Sequence, residues 1–118
     1  MNQEVSFPYE ISFPDFKPSE AVSVDVEKYL KKLERLYSRI VSCHVAVRVP
    51  HKHHKNHIYH VHIKLKIPGE DIVVNREPEK NFAHTDMHVA IRDAFNALHK
   101  QLRERIKQLK SHHSNEDE

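Results

Sequence analysis

The chain has one cysteine, one glycine and no tryptophan among its 118 residues, and each scarcity excludes something. A single thiol, Cys43, cannot form an internal disulfide framework, so stability must come from packing in a reducing setting. With Gly69 as the only glycine, a glycine-rich phosphate loop of the nucleotide-binding type is excluded. No apolar run reaches the length of a membrane-spanning helix, and the opening "MNQEVSFPYE" lacks the basic and apolar regions of a secretory signal. A cytoplasmic protein is expected. Acidic residues are also missing from one long window: none lies between Glu34 and Glu70.

That window holds Arg35, Arg39, Arg48, Lys52, Lys55, Lys64 and Lys66, together with His44, His51, His53, His54, His57, His60 and His62. The formal net charge is only +2, so the basic character lies in its distribution rather than its total. Grouped positive charge is the footprint of an anionic partner, most often nucleic acid, although a solvated basic face gives the same pattern.

Periodicity assigns the elements. Val5, Phe7, Tyr9, Ile11 and Phe13 alternate, but Pro8 and Pro14 limit how much of this segment can pair. Ser19 then caps a helical pattern through Val22, Val26, Tyr29, Leu30, Leu33, Leu36, Tyr37 and Ile40. Val45, Val47 and Val49 alternate as a strand. Residues 51–57 form a histidine-rich loop, and residues 58–67 form a strand with Tyr59, Val61, Ile63, Leu65 and Ile67 on one face. His60, His62, Lys64 and Lys66 take the other face. Pro68-Gly69 turns the chain, and Ile72, Val73 and Val74 start a fourth strand, antiparallel to its neighbours in a meander. Thr85 or Asp86 caps a last helix whose stripe is Met87, Ile91, Ala94, Phe95, Leu98, Leu102, Ile106 and Leu109. The expected fold is α+β, in the order β-α-β-β-β-α, with a four-stranded sheet and two helices on one face. Residues 1–110 make one domain and residues 111–118 an acidic, disordered tail.

Three kinds of chemistry compete for these residues. His51, His53, His54 and His57 have metal-ligand spacing, but the interleaved lysines oppose a dication and no carboxylate lies among them. No metal or cofactor is therefore expected, with a histidine-rich metal-binding protein as the alternative. Catalysis is disfavoured too, because Cys43 reads as a small buried residue and His60 with His62 lacks an orienting carboxylate. Asp86 and Asp93 read as charges in the first turns of the last helix. Phosphate contact by the lysines and arginines fits best, and loop histidines against phosphate would strengthen binding as pH falls.

The last helix, "TDMHVAIRDAFNALHKQLRERIKQLK", resembles the final helix of the ribosome hibernation-promoting factor and ribosome-associated inhibitor (HPF/RaiA, sigma-54 modulation protein) family. Asp86, Met87, Ala90, Ile91, Leu98, Gln101 and Leu102 match its Asp-Met-Tyr-x-Ala-Ile entry and Leu-x-x-Gln-Leu stretch. In "KKLERLYSRIVSCHVAV", Lys32, Leu33, Glu34, Arg39, Ile40 and Val45 match the first helix and the strand after it. His88 replaces the family's usual Tyr, Arg92 a usual Asp and Ala97 a common Lys, while Glu104 and Ile106 dilute the basic end.

The resemblance covers residues 9–110 and implies a fold akin to double-stranded RNA-binding domains. It implies a non-catalytic role on the small ribosomal subunit and the 70S ribosome, near the tRNA and mRNA sites. The partner would be 16S rRNA, with no membrane and no small-molecule substrate. It also implies a short form, without the dimerisation domain of longer members. Carried over by position, the RNA-facing residues are Lys32, Arg39, Lys100 and Lys110; charge and placement add Lys28, Arg35, Lys64, Lys66, Arg92, Arg103 and Arg105. A free module for structured RNA remains the other binding alternative.

Overall fold

A computed structural model describes residues 5–14, 17, 20–48, 59–76 and 87–116. The elements run β1 (Tyr9–Ser12), α1 (Glu20–Leu36), β2 (Ser42–Arg48), β3 (His60–Ile67), β4 (Glu70–Arg76) and α2 (Met87–Glu116). This is the expected order. The histidine loop at 51–57 and the proposed caps Ser19, Thr85 and Asp86 lie outside the described residues.

The four strands form one mixed sheet in the order β1-β2-β3-β4. Because a helix joins β1 to β2, the chain returns in the same direction and the two strands pair in parallel, Tyr9 beside Cys43 and Ile11 beside Val45. The other pairs are antiparallel, as expected. The β3-β4 turn depends on Gly69, whose φ of 88° lies in the left-handed region. A Cβ there would meet nothing within 4 Å, so the requirement is torsional rather than steric.

Alternation sorts the sheet into two faces. Cys43, Val45, Val47, Val61, Ile63, Leu65, Ile67, Ile72 and Val74 are buried on one side. Their alternates, including His44, Arg48, Lys64, Lys66, Asp71 and Val73, are exposed on the other. Both helices cover the apolar face. Val22, Val26, Leu30 and Leu33 of α1 and Ala90, Ile91, Ala94, Phe95, Leu98 and Leu102 of α2 complete the core. No polar side chain is buried among the described residues.

The two helices lie side by side with their N-termini at the same end. Asp25 Oδ2 is 2.6 Å from His88 Nδ1 in the first turns, and further along Tyr29 stacks on Phe95 with centroids 5.1 Å apart and planes 15° apart. Helix α1 is shorter than its apolar spacing suggests. It stops at Leu36, the N–H of Tyr37 still donating to the carbonyl of Leu33. By Val41 the backbone already donates to the Lys66 carbonyl, so 37–40 must turn the chain into the sheet. Ile40 is buried from that connection, not from the helix. At the other end, Leu109 is 40% exposed, which shows α2 running past the core, and its backbone stays helical to Glu116 within the segment read from sequence as a tail.

Candidate nucleic-acid interface

The outward side of α1 carries Lys28, Lys31, Lys32 and Arg35, which with Val24 and Glu27 line a shallow depression. The helix also contains acids, and their placement decides the electrostatics. Glu27 accepts a hydrogen bond from the Tyr9 hydroxyl at 2.7 Å, on the side facing β1. Glu34 accepts one from the Ser6 N–H at 2.9 Å and another from the Ser6 hydroxyl. The Ser6 hydroxyl and then its N–H hold the Glu34 carboxyl below the usual carboxylate range, with Lys31 adding to the effect. Asp25 is turned to His88 across the helix pair. These three carboxylates are thus engaged by the fold. Lys28 and Lys32, between them, and Arg35, just after, stay exposed to solvent.

On α2, Arg92, His99, Arg103 and Lys110 recur at helical spacing along the side nearest α1, with Lys100 and Lys107 farther out. Of these positions, His99 lies nearest the charged groups of α1. Lys28 and Lys32 hold their ammonium groups 5.6 and 5.7 Å from the Tyr29 ring centroid, a cation–π arrangement over the aromatic pair that joins the helices. Beside that pair, His99 is flanked by Lys32 from α1 and Arg103 from its own helix. Partial burial first, then Arg103 and Lys32, push the His99 imidazole below its ordinary value.

The residues expected from sequence do not all share one surface. Lys28, Lys32 and Arg35 face outward on α1, and Lys100, Arg103 and Lys110 are exposed on α2. Arg92 is exposed on the same stripe, but its Nη2 lies 3.4 Å from Asp93 Oδ1. Arg39 is in the turn after α1, not on the helix where spacing places it. Arg105 points to the other flank of α2. Its Nε donates to Glu70 Oε2 at 2.5 Å, tying the helix to β4, and its guanidinium also reaches Gln108. Lys64 and Lys66 occupy the uncovered sheet face, on the far side of the sheet from the helices.

That second face is cationic but partly compensated. Lys64 Nζ is 3.7 Å from Asp71 Oδ2, and His44 Nε2 is 4.0 Å from Glu10 Oε1. His60 and His62 lie on this face as alternation requires. Among the described residues no group of three or more His, Cys, Asp or Glu side chains is placed to hold a metal ion. Cys43 is buried, and burial pushes its thiol up to about 12.

Sequence reasoning missed Lys31, His99 and Lys107. Lys31 and Lys107 had a readable signal, since each continues a run of cations at helical spacing. His99 had none in the sequence, because its flanking by Lys32 exists only once the helices are side by side.

These features define a small βαβββα domain with an apolar sheet face under two parallel helices and a cation-bearing helical layer outside. The chain belongs to the sigma 54 modulation protein / S30EA ribosomal protein family, whose model matches residues 9–110. Two solved structures share the fold. The N-terminal domain of Protein Y from Thermus thermophilus aligns with a TM-score of 0.65 at 21% identity, covering 83% of this chain and 97% of that one. A ribosomal subunit interface protein from Coxiella burnetii aligns with a TM-score of 0.69 at 19% identity, covering 86% and 99%. No curated protein matches the sequence. Among the described residues, no helix is long and apolar enough to cross a membrane.

Proposed function

We propose that this protein binds the small ribosomal subunit, alone and within the 70S particle, and holds ribosomes idle under stress or in stationary phase. The contact is between the outer helical layer and phosphates of 16S rRNA near the tRNA and mRNA sites. Family membership supports the ribosome as the partner. The observation that carries the reading is the disposition of charge on α1. Ser6, Tyr9 and His88 engage Glu34, Glu27 and Asp25, so Lys28, Lys32 and Arg35 present positive charge with little internal neutralisation. Phosphate contacts of this kind position a protein without reading base sequence, and the shape of folded RNA supplies the rest. The role needs no cofactor, small molecule or catalytic residue, and its setting is the cytoplasm. Occupying the subunit's functional sites is itself the inhibition.

The test is cosedimentation of the purified chain with 30S and 70S particles across a salt series. Association at low salt that is lost as salt rises is expected, since released counterions drive phosphate binding. Failure to sediment at low salt, with ribosomes in excess, would refute the reading. If isolated structured RNAs bind equally well and ribosomes do not compete them away, the protein is a free RNA-binding module instead.

A further inference from the structure

Three groups meet where α1 and α2 run side by side, beyond the stacked Tyr29 and Phe95. Lys32 comes from α1 one turn after Tyr29, His99 from α2 one turn after Phe95, and Arg103 one turn further on α2. Lys32 and Arg103 are exposed, while His99 is half-buried and feels the charge of both. Lys28 lies one turn back over the same Tyr29 ring. No carboxylate contributes to the surroundings of His99 among the described residues: its charged neighbours are Arg103 and Lys32, both positive. Burial and these two positive neighbours disfavour the charged imidazole, and an approaching anion would offset them.

We propose that Lys32, His99 and Arg103 form a clamp for a single phosphate group at the junction of the two helices, and that an anion seated there is bound together with a proton on His99. Two permanent cations attract the phosphate, and the imidazolium becomes a third hydrogen-bond donor once negative charge offsets the repulsion around it. The sign follows from the empty site. Burial and the two cations disfavour the charged imidazole, so the free protein holds it neutral at pH 7. An anion within about 4–6 Å acts in the opposite direction and raises the group by about one unit or more. Between the two values, binding takes up a proton and tightens as pH falls.

The clamp rests on the ribosome reading for its natural ligand, a phosphodiester of rRNA, but not for its chemistry. The test therefore uses sulfate, a dianion whose charge does not change over the histidine range. NMR titration of the His99 ring protons, assigned with His99→Gln, is run in sulfate and in chloride of equal ionic strength. Sulfate is expected to raise the His99 titration by about one unit relative to chloride. Lys32→Gln separates the site from general screening, because it has two opposite effects. It raises His99 in chloride by removing a repulsive charge, and it shrinks the sulfate-induced rise by removing a ligand. A His99 titration that is identical in sulfate and chloride overturns the clamp, as does a Lys32→Gln protein that retains the full sulfate response. Cosedimentation of the same proteins distinguishes the two failures. Ribosome binding without a sulfate response removes the clamp alone, whereas a sulfate response without ribosome binding keeps the clamp and removes the ribosome.

Discussion

Replacing Lys28, Lys32 and Arg35 together by glutamine removes half of the six contact cations expected from sequence that are exposed on the helices without an ion pair among the described residues, the others being Lys100, Arg103 and Lys110. If all six meet phosphates, the logarithm of the binding constant should fall with the logarithm of salt at a slope of about −5, from roughly −0.9 per phosphate neutralised. The triple variant should fall at about −3. Over a fourfold rise in salt the native protein then loses about 1,000-fold in affinity and the variant only about 60-fold. The assay is equilibrium binding of labelled protein to purified 30S subunits at fixed magnesium and several salt concentrations. Arg105→Gln is the internal control. That guanidinium is committed to Glu70, so its loss should leave the slope unchanged while loosening α2 from β4. A triple variant that binds more weakly with the native slope would refute the assignment, because the lysines would then be acting on the fold rather than on phosphate. An Arg105→Gln slope reduced as much as that of the triple variant would show that the internal pairing does not govern which cations are available.

Leu98 is fully buried under α2, so Leu98→Ala should cost about 2–5 kcal/mol in chemical denaturation, while Lys100→Ala, two residues on and exposed, changes little. Ser6→Ala should return the Glu34 carboxyl toward its ordinary value near 4.5, read by carbon-detected NMR titration. Because the folded value is the lower one, the stability Ser6 supplies is present above the unfolded value and disappears as pH drops through the folded one; a Ser6→Ala difference that persists at lower pH would contradict the linkage. With its thiol pushed up to about 12, Cys43 should react with an aromatic disulfide only as fast as the protein opens, and the labelling rate should follow denaturant rather than pH-dependent thiolate formation in the native state.

Much of the fold could be read because burial here obeys simple periods. Val61, Ile63, Leu65 and Ile67 alternate with His62, Lys64 and Lys66 across a sheet that is covered on one side only. The strand face therefore follows from sequence parity alone. The end of α1 was not legible for a related reason. Ile40 stands at helical distance from Leu33 and Leu36, and an apolar residue buried from a turn looks the same in sequence as one buried from a helix. The parallel pairing of β1 with β2 was equally hidden, since four residues between prolines carry no signal of direction. For the candidate site, the cations could be read from the chain while their availability could not. Arg105 and Lys100 look alike in sequence, yet Glu70, far away in the chain, pairs with one and not the other. Glu27 and Glu34 look like partners for neighbouring lysines until β1 and the segment before it are placed beside α1.

That placement gives the molecule two unequal cationic faces, and the inequality has a consequence for how it would sit against RNA. On the sheet face the nearest acids stay among the cations: Asp71 lies across from Lys64 and Lys66, and Glu10 reaches His44. Such exposed pairs are weak as sources of stability, but they lower the field that a distant phosphate feels. On the helical face Asp25, Glu27 and Glu34 are turned to His88, Tyr9 and Ser6, and only Glu20 of the α1 acids is exposed, so the outward field of α1 is less compensated. Long-range attraction should therefore orient the protein with its helices toward the polyanion before any close contact forms. The histidines of the sheet face, His44, His60 and His62, would then point away from the primary contact, and substituting them should alter ribosome affinity less than substituting Lys32 or Arg103. The clamp at His99 sits on the side that arrives first. Pairing of the carboxylates by Ser6, Tyr9 and His88, rather than the total charge of +2, is what makes the two sides of this small sheet different.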